Sequence, residues 1–106
     1  MLEDIKGLLG LTGDDKDGLL NTIIKITKAR LSVLIKADEV PEKLSYIVTE
    51  VTIARFNRIG SEGLKTHSVE GESMTWDDND FAPYMRDIEA FNASQGSPAE
   101  GRIKFL

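Results

Sequence analysis

The sequence predicts a mainly α fold: a small domain of about four helices, with a short β-hairpin between the third and the fourth. Three observations carry this reading. Apolar residues recur at helical spacing in four separate stretches of the 106-residue chain. Capping oxygens or a helix-starting proline stand ahead of each of the last three stretches. Between residues 60 and 76 the helical period gives way to alternation.

The first helix is short, with Leu2, Ile5, Leu8 and Leu9 on one face and Gly10 or Gly13 as its stop. Thr12, Asp14 and Asp15 then offer side-chain oxygens to a second helix over about 14–36. At about 100° per residue, its apolar residues from Leu19 to Ile35 cover an arc of about 200°. One side of a small core needs only about 100°, so this helix is expected to be covered on two sides, within the domain or by a second chain. Arg30 falls inside the arc. It either snorkels, with its stem buried and its guanidinium wet, or pairs at a subunit interface.

Pro41, among Asp38, Glu39 and Glu42, starts a third helix over about 41–59, which Gly60 ends. Leu44, Ile47, Val48, Val51 and Ile59 form its main stripe, and Tyr46, Ile53 and Phe56 a second face. Arg55 and Arg58 lie near its C-terminal end, where the helix dipole alone accounts for cations. Leu64, Thr66 and Ser68 then alternate with Lys65, His67 and Val69, Gly71 turns the chain, and 73–76 return as the second strand. Such a hairpin is marginal alone and leans on helices or on a neighbouring subunit. Asp77, Asp78, Asn79 and Asp80 cap a fourth helix over about 78–91, striped by Phe81, Tyr84, Met85, Ile88 and Phe91. Pro83 is tolerated in its first turn. The expected organisation is a helical domain over 1–91 and a tail over 92–106. That tail has linker composition at first and an apolar, basic end made of Arg102, Ile103, Lys104, Phe105 and Leu106. Free tails are usually polar, so this end is expected to order on docking.

Composition excludes several functions. A net charge of -5 argues against nonspecific nucleic-acid binding through phosphate neutralisation. With no cysteine there is no disulfide framework, thiol nucleophile or Cys-ligated metal. The single histidine, His67, makes a Ser-His-Asp relay or a multi-His metal site improbable. No apolar run approaches the ~20 residues of a membrane span, and the acidic start, Glu3 and Asp4, is unlike a secretory signal. The acids at 77–80 fail as a calcium loop, since counting from Asp77 the fifth position is Phe81 and the sixth Ala82. They read as helix caps. A helix-turn-helix made of the second and third helices would set Glu42 and Glu50 against phosphates. Phosphate-binding glycine signatures are missing. The chain is therefore expected to be non-enzymatic, without metal or cofactor.

The distinctive stretch runs Arg55-Phe56-Asn57-Arg58-Ile59-Gly60-Ser61-Glu62-Gly63-Leu64, followed by Ser68-Val69-Glu70-Gly71-Glu72-Ser73. An Asn-Arg-x-Gly-x-Glu-Gly run closing a helix and then Ser-x-x-Gly-x-Ser resembles the head–tail connector (adaptor) proteins of tailed bacteriophages, often labelled as DNA-packaging proteins. Chain size and helix layout agree, and only the tail after Phe91 lacks a counterpart. The resemblance implies a homo-oligomeric ring, commonly dodecameric, beneath the portal protein at the head–tail junction of the virion. Such a ring extends the DNA channel and offers a platform to stopper or tail completion proteins. DNA passes through without sequence-specific binding, no membrane is involved, and the subunits are made in the bacterial host cytoplasm. It also marks Arg55, Asn57, Arg58, Gly60, Glu62, Gly63, Ser68, Gly71 and Ser73 as family motif and subunit interface. By its own position Glu62 either pairs with Arg55 or Arg58 or is a solvated turn residue, and Ser68 and Ser73 satisfy backbone groups of the hairpin. Without the resemblance, the residues alone also suit a small helical regulatory or adaptor module that binds one protein partner.

Overall fold

A computed structural model describes residues 1–62 and 78–101, and these residues form four α-helices. Helix α1 spans Leu2–Leu9 and ends at Gly10, whose φ of 75° only glycine adopts without cost. The Leu11 N–H bonds back to the Lys6 carbonyl at 2.9 Å, which closes the helix end. Helix α2 spans Asp17–Leu34. Its end is closed in the same way by Ala37 N–H on the Ser32 carbonyl at 2.9 Å, with Lys36 held at a φ of 57°. A 3-10 turn over Glu42–Leu44, entered from extended Pro41, leads into helix α3 over Ser45–Glu62. A second 3-10 stretch, Asp78–Tyr84, leads into helix α4 over Met85–Gly101.

The mainly α expectation holds, but the hairpin between the third and fourth helices is not seen. There is no strand among the described residues, and positions 60–62, where the helical period is expected to lapse ahead of the hairpin, are instead the last turn of α3. The remainder of the expected hairpin, 63–76, lies outside the described residues. Gly60 does not stop the helix because one glycine costs only about 1 kcal/mol against alanine. The strand reading rested on a short, mostly polar alternation with few apolar members, a weak basis for pairing. At the other end, α4 continues to Gly101 beyond the expected stop at Phe91. Between Phe91 and Ser97 no proline interrupts the backbone, and Pro98 lies within the last turn of the helix, where it removes one N–H donor. Pro83 has its effect locally: the segment around it is 3-10, and regular α-helix begins only at Met85.

The core joins all four helices. Ile5 of α1, Leu20, Ile24 and Leu31 of α2, Ile47, Val48 and Val51 of α3, and Phe81 and Ile88 from the last segment are buried together. Each such side chain contributes roughly 1.5–3 kcal/mol of transfer free energy. Helices α2 and α3 form the central pair. The segment from Asp78 to Phe91 runs antiparallel to α3, because Asp80 meets Arg55 and Arg58, Tyr84 meets Glu50, Asp87 meets Tyr46, and Phe91 meets Lys43. It also reaches α2 at both ends, through Asp78 on Arg30 and Asn92 Nδ2 on the Leu34 carbonyl at 3.1 Å.

Candidate functional site

The densest polar arrangement among the described residues is an arginine–aspartate clamp where α2, α3 and the second 3-10 stretch meet. Helical spacing puts Arg55 and Arg58, three residues apart, on neighbouring positions of α3. Both reach Asp80: Arg55 Nε donates to Oδ2 at 2.8 Å, and Arg58 Nη2 to Oδ1 at 2.5 Å. Arg55 is only 1% exposed. Its Nη1 also donates to Thr27 Oγ1 of α2 at 3.1 Å, and its guanidinium carbon sits 5.5 Å from the Phe81 ring centre. A buried guanidinium needs this kind of provision, since removing a charge from water costs several kcal/mol unless a partner and hydrogen bonds offset it.

Arg30 makes the outer arm of the clamp. Its Nε and Nη2 donate in parallel to the two oxygens of Asp78, both at 2.7 Å. This fork is the geometry that distinguishes arginine from lysine. The hydrogen bond to Arg30 holds the Asp78 carboxyl below its ordinary range, and the same bond raises the arginine. The two side chains remain nearly half exposed, at 47% and 44%, so solvent screens the pair.

Further along, two tyrosines tie α4 to α3. The Tyr84 hydroxyl donates to Glu50 at 2.7 Å, the Tyr46 hydroxyl donates to Asp87, and the rings meet edge to face with centres 6.4 Å apart. Burial, then the bond to Glu50, pushes the Tyr84 hydroxyl up to about 12. The Tyr46 hydroxyl is raised chiefly by its bond to Asp87. At the opposite end Lys6 of α1 lies 2.8 Å from Asp17 at the start of α2, and that bond raises the lysine.

These arrangements fasten the helices together. A shallow groove of about 350 Å³ lies where α1, α2 and the start of α3 meet, walled by Met1, Asp4, Lys28, Glu42, Ser45 and Thr49. Val40 also lines it, so its walls mix polar and apolar groups. Among the described residues no three histidine, cysteine or acidic side chains gather around a possible ion, and no helix is long and apolar enough to cross a membrane.

The structure brings three of the singled-out residues, Arg30, Arg55 and Arg58, into one network. Asn57 is exposed on α3, and Gly60 and Glu62 fall in its last turn. Gly63, Ser68, Gly71, Ser73 and the tail residues 102–106 lie outside the described residues. The sequence reads Asp78 and Asp80 as helix caps, and Arg55 and Arg58 as dipole complements or partners of Glu62. Their carboxylates and guanidiniums instead answer one another across 22 to 48 positions of chain. The signal available was charge parity: cations inside apolar stripes and a cluster of acids elsewhere. Thr27, Tyr46, Glu50, Tyr84 and Asp87 carried no local signal.

Compared with known proteins, residues 1–91 match the family model described as phage gp6-like head-tail connector protein. No curated protein and no solved structure matches the chain.

Proposed function

The chain belongs to the phage gp6-like head-tail connector family, and from that premise we propose that it is a structural subunit of a ring beneath the portal. The family is one of structural connectors rather than an enzyme class, and it implies a virion component that assembles with other head and tail proteins. In the proposed role, identical subunits close a ring, a dodecamer in the virion, that extends the DNA channel below the head. One rim meets the portal and the other receives the stopper or tail completion protein. DNA passes through the bore during packaging and ejection without being read.

The observation that carries this reading is the family match over residues 1–91, which takes in the first three helices and the start of α4. The structure supports it in two ways. Ion pairs and tyrosine–carboxylate bonds join the helices into a unit suited to bearing load as part of a wall. On the outer side of α2, exposed Val33 lies with half-buried Leu19 and Ile26 at helix-pairing spacing, which suits a subunit that meets neighbours. Residues 102–106 are proposed to dock on the portal or an adjacent subunit. Electron microscopy of the chain mixed with its cognate portal tests the proposal. The expected image is a second closed ring coaxial with the portal; portal particles without added density overturn it.

A further inference from the structure

Two opposite edges of the helical body differ in chemistry. Helix α2 faces the core with Leu20, Ile24 and Leu31. Advancing about 100° per residue, Thr22, Ala29 and Val33 fall roughly opposite that side, and all three are exposed. Half-buried Leu19 and Ile26 border them, so the sequence 19, 22, 26, 29, 33 forms a stripe with the spacing of a helix-pairing seam. Lys25 and Lys36, both exposed, flank it, and no acidic residue lies between Gly18 and Ala37.

The far edge of α3 has the other sign. Facing the core are Ile47, Val48 and Val51, with Ile53 half-buried against it; Tyr46, Glu50 and Asn57 are exposed on the outer side, where Tyr46 is bonded to Asp87 and Glu50 to Tyr84. Tyr46 is 38% exposed, Ile53 is half-buried, and Asp87 of α4 stands beside Tyr46. This edge is therefore acidic around a partly apolar centre, and the α2 edge is basic around an apolar one. The α2–α3 pair separates them, so one molecule cannot bring its own two edges together.

We infer that the α2 edge, centred on Ile26, Ala29 and Val33, docks head to tail on the α3 edge, centred on Tyr46, Glu50 and Ile53, of a second copy of this chain. Unlike edges on opposite sides make a heterologous contact, which repeats around a ring when the rotation closes. Like edges would oppose Lys25 and Lys36 to themselves, so charge disfavours a two-fold pairing. The inference rests on the ring reading above and adds which surfaces join.

The native absence of cysteine makes the test direct. Ala29→Cys and Asn57→Cys, both at exposed positions, are prepared in separate full-length chains, mixed with wild-type portal, and linked with a short bismaleimide. Circular dichroism confirms that each variant keeps its helices. The expected product is an Ala29→Cys chain joined to an Asn57→Cys chain. Links only between two Ala29→Cys chains overturn the inference in favour of two-fold pairing. An assembled ring without the mixed product overturns these surfaces and leaves the ring reading standing. Failure of the wild-type chain to assemble at all overturns both. In parallel, Lys25→Glu with Lys36→Glu should raise the concentration for half-assembly about tenfold, the effect of weakening two rim charge pairs. Adding Glu50→Lys on the neighbouring subunits should recover part of it. Unchanged assembly in the double reversal overturns the charge pairing.

Discussion

Asp80→Ala is the most informative single perturbation of this fold. Asp80 is 12% exposed and is shared by two arginines, of which Arg55 is 1% exposed and Arg58 36%. Removing the carboxylate takes the buried Arg55 guanidinium's bond to Asp80 away and loosens the 3-10 stretch from α3. Breaking a buried pair by deleting one partner costs about 3–5 kcal/mol, a large share of the roughly 5–15 kcal/mol that holds a domain together. At a urea dependence of about 2 kcal/mol per molar, the unfolding midpoint falls by about 2 M. Asp78→Ala is the internal comparison. Its pair with Arg30 is nearly half exposed and screened by solvent, so its loss should move the midpoint far less than that of Asp80. Arg55→Met placed in the Asp80→Ala background should recover much of the loss, because an apolar side chain of similar length does not need the missing carboxylate. Urea melts followed by far-ultraviolet circular dichroism read the wild type and the three variants. Equal, small shifts for Asp80→Ala and Asp78→Ala would refute the reasoning that the clamp is held from its buried end.

Other outcomes follow from the same contacts. Tyr84 is raised to about 12 in the folded chain from its ordinary value near 10, so its neutral-form contribution is complete below about pH 10. That contribution is lost as pH rises toward 12, and Tyr84→Phe should flatten the alkaline limb of a stability–pH profile. The Asp78 carboxyl is lowered by Arg30, so its contribution is present above the unfolded value of about 3.9 and lost as pH falls through the folded one. Asp78→Asn should shallow the acid limb below about pH 4, and an unchanged limb would remove this pair from the account. Lys36 holds a φ of 57° at the end of α2, a conformation that costs a side-chain-bearing residue roughly 1–2 kcal/mol. Lys36→Gly should therefore raise the thermal midpoint by several degrees, about 4–8 °C per kcal/mol in a domain of this size.

The helices were legible where local chemistry decides them. Leu2–Leu9 with its glycine stop appears as its spacing predicts, and the second and third helices differ only at their ends. The misreadings share a cause: a local breaker or alternation was given more weight than the surrounding packing. Gly60 was read as a stop, yet α3 continues to Glu62; polar residues after Phe91 were read as linker, yet α4 continues to Gly101. The expected hairpin came from the same weak kind of local evidence. The clamp was illegible for a different reason. Arg30 with Asp78 and Arg55 with Asp80 are joined only once the chain has folded, and no spacing rule links residues 48 or 25 positions apart. Sequence marks the arginines as unusual and offers Glu62 as a partner for Arg55 or Arg58, not the Asp80 that holds both.

The central claim, a connector subunit that closes a ring, is tested most directly by mass. The full chain is weighed by native mass spectrometry or sedimentation across a wide concentration range, with and without its cognate portal ring. The account predicts a single large closed species, formed alone or only on the portal. A monomer or dimer that persists at every concentration and ignores the portal would contradict it.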